Sequence, residues 1–296
     1  MHPEALLHRL GTIDGIMFDI DGCLVISDGP SGQGGHLLAG AAAILDQTRA
    51  SGRRLCVFTN GTAQTSRQIA AHLRSLGLDL ADHEVLTPAV VAARVVKDLY
   101  GDAPVLVFGG EGMLEDFRAQ GITLVDADTS TSGAASGAVA VVIGWDPEFT
   151  RAKLQFSAEA ILAGAVLYCT SDAPAFASND RLNVGVSGFI SAGLSHVTGA
   201  PWTVLGKPSP FALETVCQTL GTSPEHTLVI GDDIYLESVM ARRGGAMAGI
   251  VLTGTATRAQ LADTPPEDAP DLVIESLTEL GALLQASDAL RQSPVG

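Results

Sequence analysis

Short apolar runs rich in β-branched residues alternate along this chain with longer stretches of helical spacing. The runs fall at 16–20, 55–59, 105–108, 139–143, 166–170, 203–205, 228–230, 249–252 and 272–274; the helical stretches fall at 37–50, 66–76, 90–100, 148–162, 210–220 and 236–243. A helix between successive strands makes a crossover connection, so the pattern predicts an α/β fold with a doubly wound, Rossmann-like parallel sheet and helices on both faces. The chain has 296 residues, 46% apolar and 17% charged, which is more than one simple unit needs and enough for a sizeable core.

The residues that carry chemistry gather near the two ends of the chain. Asp19, Asp21, Thr59 and Asn60 come early, and Lys207, Asp232 and Asp233 come late. The middle has strands and helices of its own but no comparable signature. This predicts a core of residues 1–84 with 202–296, interrupted by an inserted α/β cap domain at 85–201. In doubly wound sheets ligands collect at the carboxyl ends of strands, and each chemical group here falls at or just after a predicted strand end. The small, polar stretch 126–137 reads as a surface loop, and the tail after Gln285 is predicted to fray.

The string Phe18-Asp19-Ile20-Asp21-Gly22 closes an apolar run. Two carboxylates two residues apart project the same way from a strand, where they repel unless a cation or a proton transfer uses them. Gly22 lets the backbone turn where the strand stops. The pair fits a catalytic elbow serving a metal and a phosphate. The alternative, two solvated side chains at a turn, loses weight once the three further motifs below are set beside it.

Three further elements follow in order: Phe58-Thr59-Asn60-Gly61, Gly206-Lys207-Pro208-Ser209-Pro210, and Ile230-Gly231-Asp232-Asp233 with Glu237 a turn later. With Leu252-Thr253-Gly254, the set resembles the haloacid dehalogenase superfamily of phosphatases, in its class IIA branch, over nearly the whole chain. The resemblance implies a phosphomonoester hydrolase that acts on a small phosphorylated metabolite with Mg²⁺. Asp19 would be the nucleophile that forms an aspartyl-phosphate, and Asp21 the acid–base residue, raised by neighbouring anions and partial burial. Asp19, Asp232 and the main-chain carbonyl of Asp21 would bind the metal, with Asp233 and Glu237 holding its waters. Thr59, Asn60, Gly61 and Lys207 would bind phosphate. The cap segment 171–181, with Asp172, Phe176 and Arg181, would set specificity, and a homodimer is implied. The chain departs from the family at Gly61, where a second Asn is common; at Glu237, where Asp is usual; and at Leu24-Val25-Ile26-Ser27, which lacks the usual aromatic.

A formal net charge of −16, from 17 Lys+Arg against 33 Asp+Glu, disfavours nucleic acid and anionic membrane surfaces as partners. Cys23, Cys56, Cys169 and Cys217 are too scattered for a disulfide framework, although Cys23 lies beside the elbow and could respond to redox change. Residues 1–10 lack a signal-peptide pattern and no apolar run reaches membrane-spanning length, so a soluble, cytoplasmic enzyme is expected. Gly109-Gly110-Glu111-Gly112 does not match a dinucleotide fingerprint and reads as a tight turn into a helix. A phosphotransferase or mutase, or a non-catalytic phospho-ligand-binding protein, are the alternative functions; the intact set of Asp19, Asp21, Lys207 and Asp232 speaks against the last.

Overall fold

The computed structural model describes residues 3–27, 34–127, 132–146, 148–173, 175–177 and 182–292. Two parallel sheets carry the fold. In the first the spatial order is Leu272–Ile274, Met247–Val251, Thr227–Gly231, Gly15–Asp19, Arg54–Phe58, Val85–Leu86. The chain starts in the middle, builds outward on one side, and after a long excursion builds outward on the other. That reversal makes the sheet doubly wound, and it opens a crevice at the carboxyl ends of the central strands. The register sets Phe18 beside Ile230 and Asp19 beside Phe58.

Side-chain alternation sorts the strands onto two helical layers. Ile16 and Phe18 join Val57 and Ile230 against helices Pro3–Gly11, Ala41–Ala50, Ser66–Ser75 and Leu277–Gln292. Met17 joins Phe58 and Val229 against helices Pro88–Tyr100, Pro210–Leu220 and Val239–Gly244.

The second sheet has the order Trp202–Val204, Val166–Cys169, Ala140–Ile143, Val105–Phe108, again all parallel. One face packs on helices Arg151–Leu162 and Val186–Thr198 through Phe156, Ile161, Ile190 and Leu194. The other face, with Ala140, Val142 and Tyr168, belongs to the same apolar layer as Met17 and Phe58. Helix Pro88–Tyr100 supplies Val91 and Val95 to that layer.

Sheet membership shifts the expected division of the chain. Val85–Leu86 pairs with Arg54–Phe58 in the first sheet, and Trp202–Val204 pairs with Val166–Cys169 in the second. By pairing, Val85–Leu86 goes with the first sheet and Trp202–Val204 with the second, two or three residues from the expected division at 84/85 and 201/202. The tail also differs from expectation, because helix Leu277–Gln292 continues well past Gln285. Arg53 is only 4% exposed and needs a carboxylate; Asp288 gives it a bidentate pair at 2.6 and 2.9 Å. Ser287 Oγ donates to the Leu7 carbonyl at 2.7 Å. Part of the predicted loop at 126–137, residues 128–131, lies outside the described residues. Among the described residues no helix is long and apolar enough to cross a membrane.

Candidate active site

Gly15–Asp19 is buried along its length and ends at Asp19, whose residue is 6% exposed. Past the strand end, Gly22 N–H donates to the Val25 carbonyl at 2.8 Å, and Leu24 and Val25 N–H both donate to the Ile20 carbonyl at 2.9 Å. Gly22 adopts φ +80°, a left-handed conformation, and a Cβ there would run into Asp232 Oδ2. Asp21 lies in this turn, exposed, and its Oδ1 accepts from Ser27 Oγ. Two expectations are thereby corrected: the carboxylates do not share one strand face, because the strand stops at Asp19, and Asp21 is not partly buried.

Lys207 is 2% exposed and has three ammonium hydrogens to satisfy. Its Nζ donates to Asp19 Oδ1, to Glu237 Oε1 at 2.6 Å and to the Phe58 carbonyl at 3.1 Å. The lysine follows the last strand of the second sheet by three residues, after a turn in which Gly206 N–H donates to the Thr170 carbonyl at 3.0 Å. Ser209 then caps helix Pro210–Leu220 through its side chain, with Pro210 in the first helical turn.

Asn60 grips the Lys207 backbone from both sides. Its Oδ1 accepts from Lys207 N–H at 3.0 Å and its Nδ2 donates to the Lys207 carbonyl at 3.1 Å. The Asn60 side chain thus sets the lysine main chain. Thr59 Oγ1 accepts from Gly61 N–H at 3.1 Å, which occupies that N–H within the turn and leaves the Thr59 hydroxyl hydrogen to donate elsewhere.

Asp232 is 5% exposed and directly follows strand Thr227–Gly231. Its Oδ2 accepts from Thr255 N–H at 2.7 Å, and its main-chain carbonyl accepts from Thr255 Oγ1 at 2.9 Å and Ala256 N–H at 2.8 Å. A Cβ on Gly254 would strike the same Oδ2, so two glycines wall one carboxylate oxygen. Asp233 Oδ1 accepts from Tyr235 N–H at 2.7 Å and Leu236 N–H at 3.3 Å, capping a π-helical turn at Ile234–Ser238. That wide turn swings Glu237 inward. Glu237 Oε2 accepts from Asp233 N–H at 3.1 Å while Oε1 accepts from Lys207, so both its oxygens serve the protein. Glu237 therefore stands as a partner of Lys207.

Burial pushes the Asp19 carboxyl well up, the Lys207 ammonium pulls it back, and the Glu237 and Asp232 charges reinforce the rise. Burial likewise raises Asp232 and Glu237. Burial alone would lower Lys207, but the Asp19 and Glu237 carboxylates outweigh it and hold the ammonium above the ordinary lysine range. The upward direction for the acids is physically sound: three buried carboxylates face one ammonium, leaving an excess of two negative charges when all are ionised. A divalent cation relieves that excess. Among the described residues, Asp19 Oδ2 has no hydrogen-bond donor, and the donors at hand are hard oxygens. Magnesium, which takes few protein ligands and keeps waters, fits this set. Among the described residues no group of three or more His, Cys, Asp or Glu side chains is arranged to hold a metal ion.

The specificity candidates are less tied in. Asp172 is exposed, with Gly188 packed against its backbone. Phe176 lies on the Ala175–Ala177 strand of a small antiparallel pair with Leu182–Val184, its side chain outside the described set, and Arg181 lies outside the described residues altogether. Cys23 is buried; burial first, then the Asp19 charge, pushes its thiol up, so it packs as a protonated side chain. Gly110 does lead into helix Glu111–Ala119, as its sequence predicts. No sequence signal marks Thr255 or Ser27: each is an ordinary Thr or Ser beside glycine-bearing or apolar segments, and nothing in its type points to a partner 23 or six residues away.

The chain is similar to known proteins over most of its length. Residues 16–123 match the family described as haloacid dehalogenase-like hydrolase, and residues 204–280 match a HAD-hydrolase-like family. Human chronophin is 28% identical over 291 residues, 95% of this chain and 96% of that protein. Phosphoglycolate phosphatase 2 of Arabidopsis thaliana is 25% identical over 298 residues, 93% of this chain and 94% of that protein. A glycerol phosphate phosphatase from Mycobacterium tuberculosis, solved with magnesium, superposes with a TM-score of 0.79 at 25% identity, over 92% of this chain and 78% of that one.

Proposed function

The chain belongs to the haloacid dehalogenase-like hydrolases, in the class IIA branch of phosphatases, and we propose that it hydrolyses a small phosphorylated metabolite through an aspartyl-phosphate on Asp19. The observation that carries this reading is the buried Lys207 ammonium joining Asp19 and Glu237, with Asp232 alongside.

Asp19 Oδ1 is held by Lys207, which leaves Oδ2 to attack phosphorus. The phosphorus–oxygen ester bond breaks, and the Asp21 carboxyl gives its proton to the departing oxygen. Asp21, held at Oδ1 by Ser27 in an exposed turn, then takes a proton from water. That water attacks the phosphorus of the acyl phosphate, releasing inorganic phosphate and restoring Asp19. Thr59 donates its hydroxyl hydrogen to a phosphoryl oxygen, and Lys207 offsets charge building on the phosphoryl group and Asp19. Asp19 and Asp232 would hold Mg²⁺, which when bound neutralises phosphoryl charge that would otherwise repel the carboxylate nucleophile. The second sheet, residues 105–204, acts as the cap that covers the leaving group, with Asp172 and the 174–181 segment selecting it.

A panel of phosphorylated metabolites, assayed for phosphate release with and without Mg²⁺, tests this. Wild type should release phosphate from some members only with the metal, and Asp19→Asn should release none. Undiminished release by Asp19→Asn would overturn the reading. Product that keeps its phosphate in ester form would identify a mutase instead.

A further inference from the structure

The turn that presents Thr59 leans on the second sheet at several points. Thr62 is 6% exposed, three residues past Thr59, and its Oγ1 accepts from the Trp145 N–H at 3.3 Å. Trp145 lies just past the end of strand Ala140–Ile143, so the acceptor is in one sheet's loop and the donor in the other's. Gly110 N–H donates to the Trp145 carbonyl at 2.9 Å, binding that loop to the start of helix Glu111–Ala119. One residue into the helix, a Cβ on Gly112 would lie 2.7 Å from both Gln64 C and Thr65 N. Real Cβ atoms do not sit so close to backbone, so Gly112 is a seat for the 64–65 main chain. On the other side, a Cβ on Gly206 would lie 3.0 Å from Asn60 Oδ1 and closer still to the Thr170 carbonyl oxygen.

We propose that the 59–65 turn is shaped by the cap, with Thr62 and Gly112 as positioning residues that fix phosphate-binding geometry at Thr59 without touching substrate. Rigid contact of this kind matters because a phosphate donor must be placed within a fraction of an ångström. Thr65 continues the chain of support: it caps helix Ser66–Ser75 through a reciprocal pair with Gln68, at 3.0 and 2.9 Å. The turn is thus fixed at one end by its helix and in the middle by the cap. The inference rests on the phosphatase reading above and goes beyond it in assigning the cap a part in holding phosphate as well as the leaving group.

The test uses the full-length protein with 4-nitrophenyl phosphate as substrate and inorganic phosphate as competitive inhibitor. Thr62→Val removes the acceptor at near-constant volume; Thr62→Ser keeps it. Gly112→Ala pushes on the 64–65 backbone. Gly193→Ala, on cap helix Val186–Thr198 with open space around its hydrogen position, is the control. The expected result is that Thr62→Val raises KM and the phosphate inhibition constant together, about three- to tenfold, the size of one lost hydrogen bond. Gly112→Ala should raise both at least as much, while Thr62→Ser and Gly193→Ala match wild type. A lowered Tm with both constants unchanged would make the contacts merely structural and overturn the proposal. A raised KM with an unchanged inhibition constant would also overturn it, by placing the effect on the leaving group. Wild type showing neither turnover nor inhibition by phosphate would instead remove the phosphatase reading, and this proposal with it.

Discussion

Replacing Glu237 with Gln removes one charge and almost no volume. The carboxylate accepts two hydrogen bonds, from Lys207 Nζ at 2.6 Å and from Asp233 N–H at 3.1 Å, at a residue only 1% exposed. An amide offers one acceptor and one donor, so in either orientation its NH₂ faces a donor and one of the two bonds is lost. A buried charged hydrogen bond is worth about 1.5–3 kcal/mol, and a donor left unpaired adds to the loss, so Glu237→Gln should destabilise the protein by about 3 kcal/mol. For a chain of this size that corresponds to a fall in Tm of ~6 °C. The substitution also reduces the negative excess among Asp19, Asp232 and Glu237 relative to Lys207 from two charges to one. Magnesium should then bind more weakly, and Asp19, now the sole carboxylate partner of Lys207, should be a poorer nucleophile. A drop of at least about tenfold in kcat/KM, ~1.4 kcal/mol, is expected. Glu237→Asp, which retracts the carboxylate by about 1.5 Å, one carbon–carbon bond, should lose the Lys207 contact in the same way. Differential scanning fluorimetry in EDTA and across a Mg²⁺ titration, with steady-state kinetics, reads all three effects. A Tm within a degree of wild type, together with an unchanged Mg²⁺ midpoint, would refute the assignment of Glu237 as the lysine's anchor.

Gly22→Ala forces an L residue into φ +80° and a methyl group against Asp232 Oδ2; it should abolish turnover and weaken the Mg²⁺-dependent thermal shift, and retained metal affinity would count against the wall that Gly22 forms. Thr65→Ala removes the capping hydroxyl of helix Ser66–Ser75 and should cost about 1 kcal/mol in denaturant unfolding, against no change if the cap is immaterial. Burial, aided by the Glu115 charge, pushes the Asp116 carboxyl up to about 6, and its Oδ2 is a buried oxygen with no partner among the described residues. Its folded pKa lies above the unfolded value, so its contribution is fully present below about pH 4 and is lost as pH rises through about 6. Asp116→Asn should therefore stabilise at pH 7.5 by about 1 kcal/mol after allowance for solvent screening, and by nothing measurable near pH 4. Equal Tm gains at both pH values would contradict the burial effect.

The strand ends were legible because the chemistry sits on them. Apolar runs predicted at 105–108 and 272–274 match the observed strands, and those at 16–20 and 55–59 run one residue late. That single residue mattered at the elbow: it placed Asp21 on a strand face when it lies beyond the end, in a turn. Periodicity could not find Val85–Leu86 or the hairpin of Val25–Ile26 with His36–Leu37, since two residues carry no period. Lys207 Nζ does reach Asp19, and the Asp232 charge acts on Asp19, because Asp19 ends a strand while Lys207 and Asp232 follow strands of known direction. The partner of Glu237 was not legible, because it depends on a π-helical turn, and no residue type in Ile234–Ser238 signals the extra width. The Asn60 expectation concerns its main-chain N–H; what the motif does not announce is the side-chain amide, which matches the Lys207 peptide group across 147 positions, a pairing that only the fold reveals.

Helix Pro88–Tyr100 ties the two sheets into one interior. Tyr100 OH lies 2.8 Å from Tyr168 OH of the second sheet, while Val91 and Val96 share one apolar layer with Met17, Phe58, Met113 and Phe117. Units joined through a common oily interior melt together, so the lobe should not behave as a detachable module that lineages or engineers exchange whole. Replacement in an exposed loop such as the one around Asp172 leaves that shared interior untouched.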